Sequence, residues 1–283
     1  MEVFFPASFG RSRRDFFELR SPCLTQPFDD SNDMIEVSHI GKSYPDGVSS
    51  VFWALHDVTF SIGRGEVVGL VGANGAGKTS LLRILSTVLQ PTTGDAWVGG
   101  HHVIANAQDV RRQIGFVSAN TAVYDRMTGA EYVRFFGRFY DISTEELEDR
   151  ISELFVRFRM ANLRDQLCGR MSTGMKQKVS IARALVHDPE VLIFDEATLG
   201  LDIVAARSVM EMVLALREES KCIVFSTHIM SELERLCDRL VVLHRGRLVA
   251  EGTADELIHE YNETNLEDMF FQILAAEDEE ASV

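Results

Sequence analysis

Residues 72–79 read Gly-Ala-Asn-Gly-Ala-Gly-Lys-Thr and lie between an apolar run, Val67 to Val71, and a helix-like run, Ser80 to Leu89. A glycine-rich segment between a strand and a helix is typical of loops that bind the phosphates of a nucleoside triphosphate, here ATP or GTP. The glycines let backbone N–H groups converge on anionic oxygens, and the helix N-terminus adds its positive dipole. The residues expected to contact the nucleotide are Gly72, Ala73, Asn74, Gly75, Ala76, Gly77, Lys78, Thr79 and Ser80.

Four side chains in and beyond this loop have the chemistry of phosphate transfer. We expect the Lys78 ammonium to hold the β- and γ-phosphates and the Thr79 hydroxyl to be a ligand of Mg²⁺. Asp195 and Glu196 follow the apolar run Val191 to Phe194, so they are expected at the carboxyl end of a strand, where ligands of open α/β sheets bind. Asp195 is therefore predicted to be a second Mg²⁺ ligand, and Glu196 to accept a proton from the attacking water or to polarise it.

The composition indicates an intracellular α/β protein. The chain has 283 residues, of which 46% are hydrophobic, and 28 basic against 43 acidic residues give a net charge of -15. This acidity disfavours nucleic acid as the main partner. Neither the four cysteines nor the pair His101-His102 shows the spacing of metal ligands. The apolar runs have the length of strands, which predicts that the chain itself does not cross a membrane.

The order of the predicted elements favours an α/β fold with a mostly parallel sheet. Antiparallel strands are expected before the loop, and a mostly helical insertion, about 119–187, interrupts the sheet. Residues 1–33 mix Phe and Arg without a clear period and are predicted to be a disordered extension that contributes no site residue. Residues 34–252 then form the main domain. Residues 253–283 are predicted to form short helices, Ala254 to Tyr261 and Leu266 to Leu274, followed by a solvated acidic end.

Helix limits follow from caps and apolar spacing. The helix after the glycine-rich loop is expected to run to Leu89, with Leu81, Leu85 and Val88 on one face. Thr128 is expected to cap a helix that runs through Phe139, and Ser143 or Thr144 a helix that runs to about Met160.

A third motif identifies a family. Residues 172–177 read Ser-Thr-Gly-Met-Lys-Gln and open an Ala-rich helical run that ends just before the strand of Asp195. This order resembles the nucleotide-binding subunits of ABC transporters, whose signature usually reads Ser-Gly-Gly-Gln. The form here is similar to that of exporter-type ATPases, including the Nat-type sodium-efflux systems. The resemblance covers about Met34 to Gly252, and it includes Thr198 to Asp202 as the D-loop and His228 as the switch histidine.

The resemblance implies a P-loop NTPase with a RecA-like, mostly parallel sheet, an antiparallel β subdomain and an α-helical signature subdomain. It implies a cycle in which two ATPase domains face each other head to tail and hydrolyse ATP with Mg²⁺, Glu196 and His228 acting on the attacking water. Each ATP would then lie between Lys78 of one domain and the signature of the other. The further nucleotide-binding residues so implied are Tyr44, Ser172, Thr173, Gly174, Met175, Lys176 and Asp202.

The chain would then be the motor of a transporter, working with a separate membrane permease at the inner face of the cell membrane. The family places its permease-coupling groove in the helical insertion, where aromatic residues are dense between Tyr124 and Phe139. Ordinary core packing of an amphipathic helix explains most of these residues, and only the solvent-facing minority is expected to contact the permease. Specificity for the transported substrate would reside in the permease, and the resemblance favours export.

Three other functions have to be weighed. An ABC-type ATPase that acts on nucleic acid or the ribosome shares these motifs. The chain, however, lacks a second glycine-rich loop, cysteine knuckles and an excess of basic over acidic residues. A binding module without turnover does not need Glu196, and a small-molecule kinase does not need the signature helix.

One position departs from the family pattern. After Ile114-Gly115-Phe116-Val117, most ABC ATPases have a glutamine that reaches Mg²⁺ and the attacking water, whereas Ala119 stands at that position here. A methyl group cannot coordinate a cation. Either Asn120 replaces the amide, or water fills the gap, and we favour water because Asn120 is one residue later and one methylene shorter.

Overall fold

The computed structural model describes residues 32–47, 50–119 and 122–280. Most of the predicted N-terminal extension lies outside the described residues, as do Asn120 and the last three residues of the chain. Asp33, the residue before the predicted domain start at Met34, pairs with Gly63. Among the described residues, every helix is too short or too polar to span a lipid bilayer.

A four-stranded antiparallel sheet is formed by two strands that precede the glycine-rich loop in the sequence and two that follow it. Its strand order is β2-β1-β4-β5, and every neighbouring pair is antiparallel. The long hairpin of the first two strands carries Tyr44 directly opposite Phe52. The strands are β1 (Asp33–Asp46), β2 (Ser50–Gly63), β4 (Thr93–Val98) and β5 (His101–His102).

A six-stranded sheet, in the order β10-β9-β3-β8-β7-β6, forms the centre of the fold. Five of its strands are parallel, and β10 joins the edge antiparallel to β9. Its three central strands are buried almost completely, which is why they read as continuous apolar runs in the sequence. The strands are β3 (Val67–Val71), β6 (Ile114–Ser118), β7 (Val191–Asp195), β8 (Cys222–Ser226), β9 (Arg239–His244) and β10 (Arg247–Gly252).

Helices cover this sheet and fill the insertion between β6 and β7. In the insertion, Thr128 and Glu131 form the capping box of α3, and Ser143 caps α4, as predicted. Both helices end a few residues earlier than their apolar spacing suggested. The helices are α1 (Lys78–Leu85), α2 (Ala107–Gln113), α3 (Gly129–Gly137), α4 (Thr144–Arg157), α5 (Thr173–Leu185), α6 (Ile203–Glu218), α7 (Met230–Leu236), α8 (Ala254–Glu260) and α9 (Leu266–Glu280).

Two helix predictions are wrong. The helix after the glycine-rich loop ends at Leu85, because Thr87 adopts a left-handed conformation with φ of 62°. Val88 therefore lies beyond the helix and is 69% exposed instead of sharing a face with Leu81 and Leu85. The last helix is longer than predicted, since α9 continues to Glu280. Its apolar side packs on α7, α8 and β10 through Met269 and Ile273, so tertiary contacts extend it beyond the short run seen in the sequence.

Candidate nucleotide site

The glycine-rich loop lies in a cleft of about 700 Å³ at the carboxyl edge of the central sheet. The cleft is lined by the loop itself, by two residues that follow β7 and β8, and by side chains from distant parts of the chain. These lining residues are Tyr44, Phe52, Ala54, Val71, Gly72, Ala73, Asn74, Gly75, Ala76, Gly77, Lys78, Thr79, Ser80, Glu196, Leu199, His228, Met230 and Phe270. The loop residues expected from the sequence thus all face one cleft.

The backbone of the loop requires glycine immediately before α1. Gly77 has φ of +107°, and a Cβ atom there would lie 2.5 Å from the Ala54 carbonyl oxygen. The Gly77 carbonyl accepts the first helical hydrogen bond, from the N–H of Leu81 at 3.0 Å. The free N–H groups at the start of α1 are therefore presented to the cleft, which is the arrangement that binds a phosphate.

Lys78 places its ammonium group inside the loop. Its Nζ donates hydrogen bonds to the carbonyl oxygens of Gly72, at 2.5 Å, and Ala73, at 3.3 Å. Burial lowers the pKa of the Lys78 ammonium, while the negative charges of Glu196 and Asp195 oppose that shift. The side chain is only 7% exposed, so the cation is held by loop carbonyls and by carboxylates rather than by bulk water.

Asp195 ends β7, and one oxygen of its carboxylate lacks a hydrogen-bond partner among the described residues. Its Oδ1 is buried and makes no hydrogen bond within the described residues. Burial raises the pKa of Asp195, the adjacent Glu196 raises it further, and Lys78 and Arg83 oppose both effects. An orphaned buried carboxylate oxygen next to a phosphate-binding loop fits the donor set of a magnesium ion, which prefers oxygen ligands.

Glu196 and His228 form a contact pair at the open side of the cleft. His228 Nδ1 lies 2.8 Å from Glu196 Oε2. Glu196 adopts φ of +54°, an uncommon conformation for a residue other than glycine, and its N–H donates to the Ser226 carbonyl at 2.9 Å. The parallel strands β7 and β8 therefore bring the predicted proton acceptor and the predicted switch histidine together, although they are far apart in the sequence.

Tyr44 lies at the antiparallel side of the same cleft. Its hydroxyl is 3.2 Å from Ser80 Oγ, and the Lys42 ammonium lies 5.2 Å from the ring centroid. Phe52, directly opposite on β2, is 54% exposed and lines the cleft as well. Two aromatic rings at the entrance of a polar cleft are suited to a purine base.

The signature residues do not reach this cleft within one chain. Ser172 caps α5 and accepts a hydrogen bond from the Met175 N–H at 3.3 Å, as its role at the helix start requires. A separate groove of about 840 Å³ between α5 and α6 is lined by Ser172, Gly174, Met175 and Asp202. Lys176 lines neither this groove nor the cleft, and its Nζ lies 3.2 Å from Asp125 Oδ1.

Other residues singled out in the sequence have structural roles or lie elsewhere. His102 Nε2 is 2.9 Å from Asp95 Oδ1, and its Nδ1 accepts from two backbone N–H groups of the following turn. No cluster of three metal-ligating residues occurs in the described part of the chain. At the departure from the family pattern, the Ala119 N–H donates to the Asp195 carbonyl at 3.1 Å. The question of Asn120 or water concerns a residue outside the described ranges.

Several contributors to the site were not found from the sequence. Phe52, Met230 and Phe270 line the cleft, and Phe270 comes from the last helix. Glu232, in the first turn of α7, is buried four residues after His228. An acid four residues after the histidine of a strand end is a detectable signal, whereas the contact of Phe270 depends on how α9 packs.

The fold and the cleft define a phosphate-binding-loop ATPase of the α/β class with an inserted helical subdomain. The family model for ABC transporters matches residues 55–199. The ATP-binding protein NatA of Bacillus subtilis (strain 168) is 38% identical over 242 residues, which cover 85% of this chain and 98% of that protein. The chain therefore belongs to the ABC transporter family, as an ATP-binding and ATP-hydrolysing subunit, and the resemblance to Nat-type exporter ATPases is confirmed.

Two further comparisons agree with membership of the ABC transporter family. The Nod factor export ATP-binding protein I of Rhizobium sp. (strain N33) is 36% identical over 227 residues, covering 80% of this chain and 73% of that protein. The dimeric structure of the cassette MJ0796 in a post-hydrolysis state, bound to ADP and Pi, superposes with a TM-score of 0.69 at 27% identity, covering 78% of this chain and 98% of that one. An ATPase acting on nucleic acid or the ribosome is not supported by these relatives.

The buried Oδ1 of Asp195, which has no hydrogen-bond partner among the described residues, leads us to expect that this residue lowers the stability of the fold but is needed for ATP hydrolysis. Because its folded-state pKa is raised, the ionised form destabilises the fold above that pKa, and the penalty disappears as the pH falls through it. Asp195→Asn should therefore raise the melting temperature of the nucleotide-free protein at pH 7.5 by about 2–4 °C, the shift expected for ~1 kcal/mol in a domain of this size. The same variant should lose Mg²⁺-dependent ATP hydrolysis.

The matched control is a carboxylate that has partners. Asp238 accepts a hydrogen bond from the Val67 N–H at 2.9 Å and pairs with Arg217. Asp238→Asn should lower the melting temperature, and differential scanning calorimetry between pH 5 and pH 8 measures both variants. A melting temperature for Asp195→Asn at or below that of the wild type at pH 7.5 contradicts this interpretation of Asp195.

Proposed function

We propose that two copies of the ATPase domain close head to tail around ATP and Mg²⁺ and drive a separate membrane permease, with export as the direction of transport. The observation that carries the proposal is the separation of the two half-sites within one chain. Lys78 and Glu196 line one cleft, whereas Ser172 and Asp202 line another groove. A second domain would bring its signature to the first domain's phosphates, and the dimeric MJ0796 cassette supports that arrangement.

The surface beside the cleft supports a second copy as the partner. Leu199, Ile203 and Val204 follow Glu196 in the chain and are 47%, 89% and 79% exposed. Three apolar side chains exposed within one six-residue stretch next to a polar site are unusual for a surface that stays in water. Closure of a second domain over the cleft would bury them when ATP is bound.

Each residue of the cleft has a defined role in the proposed cycle. The loop N–H groups and Lys78 bind the phosphates, and Thr79 with Asp195 would hold Mg²⁺. A bound Mg²⁺ supplies positive charge that stabilises the phosphoryl group as it leaves. Glu196 orients a water molecule for in-line attack and takes up its proton, while His228 leaves its contact with Glu196 to reach the γ-phosphate. Loss of that phosphate removes the bridge between the domains, which then separate.

The helical insertion supplies the proposed docking surface for the permease. A cluster of aromatic rings, defined here as the insertion cluster, connects α3 to the groove beside β6; its members are Tyr124, Tyr132, Phe135, Phe136 and Phe139. Tyr132 is buried, but Phe139 is 71% exposed. Phe136 also lines a small groove of about 230 Å³ with Phe116, Tyr140 and His187. We assign the chain to the inner face of the cell membrane through this contact.

Phe139→Asp should reduce capture of the permease about tenfold or more, because a charge replaces an exposed aromatic anchor. Val156→Asp is the matched control, since Val156 is 72% exposed on α4 and lies outside the insertion cluster. The measurement is recovery of a co-expressed membrane protein encoded by the neighbouring gene, with melting temperatures as a check of folding. Equal recovery with both variants would reject the insertion cluster as the docking surface.

The experiment that tests the proposed function combines turnover and assembly. The full-length chain is assayed for ATP hydrolysis with and without Mg²⁺, alone and with the neighbouring membrane protein reconstituted in liposomes. The proposal expects Mg²⁺-dependent hydrolysis that the membrane protein stimulates. Stable binding of the chain to RNA or ribosomes, with no stimulation by the membrane protein, would overturn it.

A further inference from the structure

A buried acidic side chain lies behind the catalytic pair. Glu232 on α7 is only 4% exposed. Its Oε2 accepts a hydrogen bond from Thr227 Oγ1 at 2.8 Å and a second from Thr198 Oγ1, also at 2.8 Å. A buried carboxylate is costly unless it is hydrogen-bonded, and the two threonine hydroxyls supply those bonds.

The two threonines belong to the two segments that carry the catalytic pair. Thr227 immediately precedes His228, and Thr198 follows Glu196 by two residues. Local hydrogen bonds fix each segment: the Leu199 N–H donates to the Glu196 carbonyl at 3.0 Å, and the Ile229 N–H donates to the side-chain Oγ1 of Thr227 at 3.2 Å. A single carboxylate oxygen therefore joins the turn after β7 to the turn after β8.

The contact between Glu196 and His228 depends on the relative position of these turns. The pairing of β7 with β8 holds the two strands together up to the bond between the Glu196 N–H and the Ser226 carbonyl. Beyond the strand ends, the two hydrogen bonds to Glu232 connect the turns. Both threonines are buried, at 4% and 0% exposure, so water does not compete for these bonds. A shift of α7 would consequently move both turns together.

We propose that Glu232 is a positioning residue for ATP hydrolysis: it holds Glu196 and His228 in register and makes the segment from Thr198 to Asp202 move with the histidine. The inference rests on the proposed function, because this segment lies beside the surface that a second ATPase domain would cover. Closure of that domain would press on Leu199, and Glu232 would transmit the displacement to Thr227 and so to His228.

The test removes the hydroxyl donors one at a time in the full-length chain. Thr198→Val and Thr227→Val keep the side-chain shape and should each lower kcat about tenfold, the effect of one hydrogen bond to a charged group. KM for ATP should stay within about twofold, because neither threonine lines the cleft. Thr198→Ser and Thr227→Ser retain the hydroxyl and should restore kcat to within about twofold of the wild type.

Glu232→Leu removes the common acceptor and should lower kcat at least as much as either valine variant, with no further loss when combined with Thr198→Val. Ser152→Ala is the matched control, because Ser152 Oγ donates to the Glu148 carbonyl at 2.8 Å on α4, remote from the cleft. Its kcat should equal that of the wild type. If Glu232→Leu does not fold, the threonine series decides the question alone.

Three results would overturn the inference: valine variants with wild-type kcat, a change confined to KM, or serine variants as impaired as the valine variants. Failure of the proposed function is distinguishable from these. In that case the wild-type chain itself does not hydrolyse ATP with Mg²⁺, or Glu196→Gln hydrolyses it at the wild-type rate.

Discussion

Glu196→Gln is expected to lower the ATP hydrolysis rate by about 100-fold or more, the lower end of the usual contribution of a general base. The variant keeps the shape of the side chain and its reach to His228, which lies 2.8 Å away, but it cannot take up a proton from water. ATP binding should remain, because the phosphate contacts come from the loop around Lys78. ATP should then hold the two domains together instead of being consumed.

Size-exclusion chromatography with ATP and Mg²⁺ measures this trapped state, and it should show a dimer for Glu196→Gln and mainly monomer for the wild type at steady state. Glu234→Gln is the matched control, since Glu234 is an acid of α7 that does not line the cleft. It should behave as the wild type. Hydrolysis by Glu196→Gln at the rate of this control would remove Glu196 from the mechanism.

Lys78→Ala should act on ATP binding, the step before hydrolysis. We expect it to weaken the affinity for ATP by about 10- to 100-fold, the effect of losing a charged hydrogen-bond donor to phosphate. The ammonium is buried and already bonded to the carbonyls of Gly72 and Ala73, so the loop holds it at the position where the phosphates would lie. Hydrolysis at saturating ATP should also fall, because in the proposed cycle Lys78 contacts the phosphoryl group that is transferred.

Isothermal titration calorimetry with ATP in the absence of turnover measures the loss of affinity. Arg235→Ala removes an exposed cation on α7 that does not line the cleft, and it controls for the change in net charge. An affinity for Lys78→Ala within twofold of this control contradicts the assignment. Affinity for ATP separates the two variants, because Lys78→Ala loses it whereas Glu196→Gln keeps it and loses only turnover.

Local patterns account for most of what the sequence predicted. The loop from Gly72 to Ser80 is one continuous segment between a strand and a helix, so its geometry follows from its own residues. Asp195 and Glu196 could be placed at the edge of the sheet because the run before them is apolar throughout. The cap at Thr128 is equally local, since the capping box involves two side chains one turn apart.

Contacts between distant segments account for what was missed. Phe52 faces the cleft because the hairpin register sets it opposite Tyr44, and Glu232 is important because α7 brings it to Thr198. The pairing of Phe52 with Tyr44 has no spacing that can be detected in one sequence, and the position of Glu232 four residues after His228 does not reveal its contact with Thr198. The early end of α1 is a different case: apolar residues continue beyond Leu85, but the left-handed turn at Thr87 redirects the chain.

The origin of Phe270 has a consequence for how the cleft is completed during synthesis. The phosphate loop and the catalytic carboxylates are all translated before α9, and domains fold from the N-terminal side as the chain emerges. Phe270 contributes to the wall of the cleft beside Met230 only after α9 has docked on α7. A nascent or prematurely terminated polypeptide that stops before this helix therefore has every residue needed for phosphate chemistry but a cleft that is open to water on one side. Completion of the nucleotide cleft therefore waits for the synthesis and docking of α9.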